Sequence, residues 1–95
     1  MRLSPAAYAV FVFGGYHALA KAIGVTRAQT HKWATIGYRM QDRGLVPSRH
    51  LVAVLRAAKE RNLPLTALDL VEGREVPDEA VRESAIGRTI AVMRL

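Results

Sequence analysis

The chain has 95 residues, 51% of them hydrophobic, with 14 Lys and Arg against 8 Asp and Glu for a net charge of +6. That length supports one small core with a narrow stability margin, and the absence of cysteine excludes disulfides, thiolate metal sites and a thiol nucleophile. An excess of cations suits DNA, RNA or an acidic membrane and does not choose among them.

Taken in order, Ser4 and Pro5 mark a helix start, with Ser4 as cap and Pro5 in the first turn of AAYAVFVF, and Gly14-Gly15 marks its end. A second helix is predicted over 16–23. Leu19, Ala20 and Ile23 give it an apolar i, i+1, i+4 face, with Ala20 small enough for a second helix to cross closely. Gly24 supplies the left-handed residue that ends it, Val25 plugs the gap behind, and Thr26 caps the next helix in a Thr-x-x-Gln box closed by Gln29. This third helix is expected from 27 to about 35, or toward Met40 if Gly37 is tolerated at a cost of about 1 kcal/mol. Thr30 and Trp33 turn inward on it, and Arg27, Ala28, His31 and Lys32 face out.

Residues 36–47 read as a loop or small hairpin. A fourth helix follows Pro47 with Ser48 as its cap, carries Leu51, Leu55 and Ala58 at helical spacing, and ends near Asn62. Thr66 and Asp69 form a second capping box for a helix of one or two turns, where Leu65, Leu68 and Leu70 close the core. Beyond Gly73 and Pro77, Asp78 caps a short helix through Ile86, and residues 88–95 are β-prone and apolar on both sides. Charge divides along the chain: residues 1–63 hold ten basic residues against Asp42 and Glu60, whereas residues 64–95 hold four against six. The acidic residues Glu72, Glu75, Asp78, Glu79 and Glu83 read as a solvated face.

Two short helices around a glycine turn, in the basic part of the chain, are how many small proteins enter the DNA major groove. Arg27 near a helix start is placed for the bidentate contact to guanine O6 and N7, and Lys32 one turn on can reach a base or a phosphate. Gln29 carries an amide of the kind that reads adenine, but its spacing from Thr26 assigns it first to the cap. Catalytic signals are missing. His17, His31 and His50 show no i, i+4 pairing or HExxH pattern, and Gly14-Gly15 lacks the strand, third glycine and Lys-Ser/Thr of a phosphate loop. No catalytic residue, metal site or cofactor is therefore expected. The run from Ala6 to Phe13, followed by Ala18-Leu19-Ala20, imitates a secretory leader, but its single early charge and the interrupting Gly14-Gly15 and His17 argue against one, and the run is too short to span a bilayer. The expected compartment is the cytoplasm.

The run GGYHALAKAIGVTRAQTHKW, followed by VPSRHLVAVLRAAKERNLPLTALDL, resembles the Cro/CI class of helix-turn-helix regulators, most of all the YdaS-type or Cro-like members of phages and bacterial chromosomes. In that class a Leu-Ala-x-x-Ile/Leu-Gly-Val-Thr segment leads to a recognition helix carrying a tryptophan, then a Pro-initiated helix and a short closing helix. The likeness covers roughly residues 4–71. It implies an all-α, lambda-repressor-like domain of about five helices over 1–72, with a C-terminal extension of helix or strand over 73–95. The function implied is sequence-specific binding of double-stranded DNA by a transcription regulator. With the basic pattern it gives an expected contact set of Tyr16, Thr26, Arg27, Ala28, Gln29, His31, Lys32, Arg39, Arg43 and Arg49. Two positions depart from the class: Thr30 stands where many relatives carry Val or Ile, and Tyr16 where many carry a Gln that touches the phosphate backbone.

A protein-binding adaptor or antitoxin-like module on the same fold is the alternative. An unpaired apolar strand at residues 88–95 is an edge that a second copy would cover, giving a homodimer, unless the segment folds back on its own domain as a strand or helix. RNA polymerase or another regulator completes the expected partners, and no membrane is among them.

Overall fold

The most apolar stretch of the chain becomes its central helix. Ser4 Oγ accepts a hydrogen bond from the Ala7 amide at 3.2 Å, and Pro5 occupies the first helical position, where its missing N–H costs nothing. The Ala6 amide, another donor without a helical partner, donates to the Gly44 carbonyl at 2.6 Å and ties the approach to the fourth helix to the start of the first.

The computed structural model describes residues 1–39 and 44–88, with 35–39 described as backbone only. The elements in order are β1 (Arg2–Leu3), α1 (Pro5–Phe13), α2 (Tyr16–Ile23), α3 (Arg27–Arg39), α4 (Ser48–Glu60), α5 (Asp69–Glu72), β2 (Arg74–Glu75) and α6 (Asp78–Arg82), after which residues 85–88 are helical again. The protein is thus mostly helical with one small antiparallel sheet, in which Arg2 lies opposite Glu75 and Leu3 opposite Arg74. From Pro5 to Val10 every residue of α1 is buried, and a helix apolar all round must be surrounded. It packs on α2, α3 and α5, while α2 packs on α3 and α4.

Three helices end the same way. The Gly15, Val25 and Leu63 amides reach back to the Val10, Ala20 and Ala58 carbonyls at 3.0, 3.0 and 2.8 Å, each across one left-handed residue: Gly14, Gly24 and Asn62. No single helix among the described residues is long and apolar enough to cross a membrane, and α1 and α2 meet at a bend of 91°.

Several boundaries differ from expectation. Helix α3 passes through Gly37 to Arg39, the longer of the two extents the sequence allows, so residues 36–39 are helix where a loop or hairpin was expected. At α4 it is Pro47 that occupies the cap position, and Ser48, the expected cap, is the first helical residue with no capping bond. Leu70 closes the core as expected and Leu65 is half-buried against it, but Leu68 is 61% exposed: the Thr66–Asp69 box turns it outward. That box is fully formed, the Thr66 amide donating to Asp69 Oδ2 at 3.0 Å and the Asp69 amide to Thr66 Oγ1 at 3.2 Å. Asp69, buried, also pairs with Arg74 at 3.5 Å.

The segment after Gly73 is built into the same core. Val76, Val81 and Ile86 belong to the buried cluster that includes Leu3 and Val10. Gly73 (φ 75°) passes so close to β1 that a β-carbon there would collide with the Leu3 carbonyl oxygen. The amino group of Met1 donates to the Val76 carbonyl and to Asp78 Oδ1, both at 2.7 Å, and pairs with Glu75 at 2.8 Å. Asp78 is therefore spent on the chain start, and Pro77 holds the cap position it was expected to fill. Helix α6 also stops at Arg82, short of Ile86. Ser84 then caps the next turn, its Oγ accepting from the Gly87 amide at 3.3 Å, so Arg88 is helical where a strand was expected to begin. The remaining residues of that strand, 89–95, and with them the expected dimer contact, lie outside the described residues.

Candidate nucleic-acid interface

The turn between α2 and α3 explains how the face is set. Gly24 (φ 76°) ends α2, and two residues later the chain is already capped for α3: the Thr26 amide donates to Gln29 Oε1 at 2.9 Å and the Gln29 amide to Thr26 Oγ1 at 3.2 Å. Leu19 and Ala20 are buried beneath the crossing and Ile23 half-buried beside them. Thr30, fully buried, sends its hydroxyl to the Tyr16 carbonyl at 2.8 Å and so bonds α3 to the first turn of α2.

Thr30 and Ala34 face in, and Ala28 and Lys32 lie exposed on the opposite side of α3; Arg27, on the side of Thr30 and Ala34 but in the first turn, is exposed where the helix begins. Among the described residues, Arg27, Lys32 and Arg49 enter no ion pair. Arg27 is moreover the first residue of α3, where the helix dipole already makes the end positive. Helices α2, α3 and α4 carry no acidic residue in their first turns, whereas α5 and α6 carry Asp69, Glu72, Asp78 and Glu79 in theirs. Cation and dipole add on the same side at α3. That arrangement is unfavourable for the free helix and favourable to an anion brought against it.

The structure divides the ten expected contact residues. Arg27, Ala28 and Lys32 form the exposed face, with His31 half-buried at its edge. Thr26 is exposed, but its hydroxyl is held in the cap; Gln29 is half-buried, and its carbonyl oxygen is taken by the Thr26 amide. Tyr16 is the correction. Only 4% exposed, it lies beneath the face rather than on it, its ring 4.7 Å from that of His31 and 5.8 Å below the Arg27 guanidinium. Burial follows from its place at the first turn of α2, where α3 crosses. Arg49 stands exposed in the first turn of α4, and its Nε donates to His50 Nε2 at 3.2 Å. Arg39 is the last residue of α3, and Arg43 lies outside the described residues.

His50 was not singled out by its sequence context. Its ring lies 5.3 Å from that of Trp33, which is half-buried rather than buried, so the start of α4 leans on α3 through this pair. No spacing rule could have matched residue 33 to residue 50. Among the described residues no group of three or more His, Cys, Asp or Glu could hold a metal ion. No protein-family model, curated protein or solved structure matches the chain.

Proposed function

We propose that the chain is a sequence-specific, double-stranded-DNA-binding transcription regulator, with a lambda-repressor-like helix-turn-helix formed by α2 and α3 and with α3 in the major groove. The observation that carries this reading is the exposed start of α3: Arg27 in its first turn with Ala28 and Lys32 beside it, all exposed, no ion pair on either cation among the described residues, and the helix fixed to α2 through Thr30. A helix about 10 to 12 Å across fits a groove about 12 Å wide. Arg27 reads guanine in it, Ala28 admits the backbone close to the bases, and Lys32 and Arg49 hold phosphates that set the register. As a homodimer, two copies read an inverted repeat with half-sites about 10 base pairs apart or a multiple of that.

Selection from a pool of randomised duplexes tests the reading. A regulator enriches a discrete motif within a few rounds; a pool that stays random removes the proposal. The adaptor reading draws on one observation, the exposed Leu68 and Val71 on one side of α5, at 61% and 70% exposure. It predicts no enriched duplex.

A further inference from the structure

Three of the contacts of Tyr16 bear on how α3 is presented. Its backbone carbonyl accepts the Thr30 hydroxyl at 2.8 Å, its ring packs 4.7 Å from the ring of His31 at an angle of 49°, and the Arg27 guanidinium carbon sits 5.8 Å from its centroid. The first contact fixes the helix, and the other two fix side chains on the helix.

We propose that Tyr16 is a positioning residue for base reading: its buried ring holds the Arg27 guanidinium by cation–π attraction, with His31 packed on the same ring, so that α3 presents its arginine already oriented. Tyr16 touches no base itself. This rests on the DNA-binding reading above. A solvated arginine samples many rotamers and gives them up on binding, whereas one resting on an aromatic face has given up part of that freedom beforehand. Burial matters here, because a ring at 4% exposure cannot swing away and desolvates one side of the cation. The sequence-specific part of binding is the part that gains, since phosphate contacts tolerate a looser arginine.

The experiment replaces Tyr16 with phenylalanine and then with phenylalanines carrying one, three and five fluorines, which drain the negative face of the ring and keep the ring itself. The probe is the duplex enriched by the wild-type protein, with an unrelated duplex of equal length as the comparison. Affinity for the enriched duplex is expected to fall stepwise, by about two- to five-fold in all, while affinity for the unrelated duplex holds. In an Arg27→Ala background the same series is expected to be flat. A flat series with Arg27 present, or an equal fall without it, overturns the proposal. The two readings also fail differently: a wild-type protein with no preferred duplex removes DNA recognition and this role with it, whereas preferred binding with a flat series removes the positioning role alone. An independent check needs no DNA. The Arg27 Nε–H resonance is expected upfield in the wild type through the Tyr16 ring current and back at its solvated position in Tyr16→Leu; an unshifted resonance in the wild type contradicts the placement.

Discussion

The hydroxyl of Thr30 donates to the backbone carbonyl of Tyr16 at 2.8 Å, with both residues buried, a bond between α3 and α2 that an aliphatic side chain at position 30 could not make. It also makes sense of a polar residue at a position where an aliphatic one would pack. Thr30→Val keeps the shape and removes the donor, so it is expected to cost about 1 kcal/mol. A thermal melt checks this; a variant as stable as the wild type would make the bond incidental.

Gln29 separates a capping role from a reading role. If it serves the Thr26 amide, Gln29→Ala and Thr26→Ala each lower stability by about 1 kcal/mol, and Gln29→Glu keeps most of it because a carboxylate suits the start of a helix. Sequence preference on the enriched duplex should stay the same in all three, as read by competition against single-base variants of that duplex. A changed preference in Gln29→Glu with unchanged stability would return Gln29 to the reading set.

Gly73 joins α5 to β2 in a left-handed conformation against the Leu3 carbonyl. Alanine there must move either the turn or β1. Gly73→Ala is expected to destabilise by about 2 to 3 kcal/mol and to loosen Met1 and Leu3 with it. Amide exchange at Val76, which donates to the Met1 carbonyl at 2.9 Å, reports the second effect; unchanged protection there would separate the turn from the sheet.

The clasp at the chain start predicts a pH dependence. The hydrogen bond to Asp78, then that to Glu75, holds the Met1 amine protonated above its ordinary 8.0, and the same bond to the amine holds Asp78 below its ordinary 3.8. The folded state thus binds the amine proton more tightly than the unfolded state does, so that contribution is whole below pH 8.0 and is lost as pH rises through the raised value. For Asp78 the folded state binds the proton less tightly, so its contribution is whole above 3.8 and is lost as pH falls through the lowered value. Melts across the pH range should show a plateau between these limits, and Asp78→Asn should flatten both shoulders. Both groups are exposed, so added salt should shrink the difference. Shoulders unchanged in Asp78→Asn would rule the clasp out as their cause.

What could be read from the sequence is what local chemistry decides. The Thr26–Gln29 and Thr66–Asp69 boxes, the Ser4–Pro5 start and the Gly24 turn each need residues only one to three apart, and each is present in the structure. The same rules misplace Ser48 and Asp78, because Pro47 and Pro77 take the cap positions and Asp78 meets the Met1 amine from the far end of the chain. Pairing of two-residue strands 73 positions apart leaves no periodic trace. Tyr16 shows the limit for the site. Its residue type is compatible with a phosphate contact, and only the crossing of α3 over α2 buries it beneath Arg27 and His31.

The central claim, that α3 reads DNA sequence through its outer face, is tested most directly by titrating wild-type and Arg27→Ala protein at fixed salt against the enriched duplex and against versions changed at each base pair. The account predicts that Arg27→Ala loses about 1 to 3 kcal/mol on the enriched duplex and relaxes the preference at one guanine, with little change on unrelated DNA. Equal affinities of the two proteins for every duplex would contradict it.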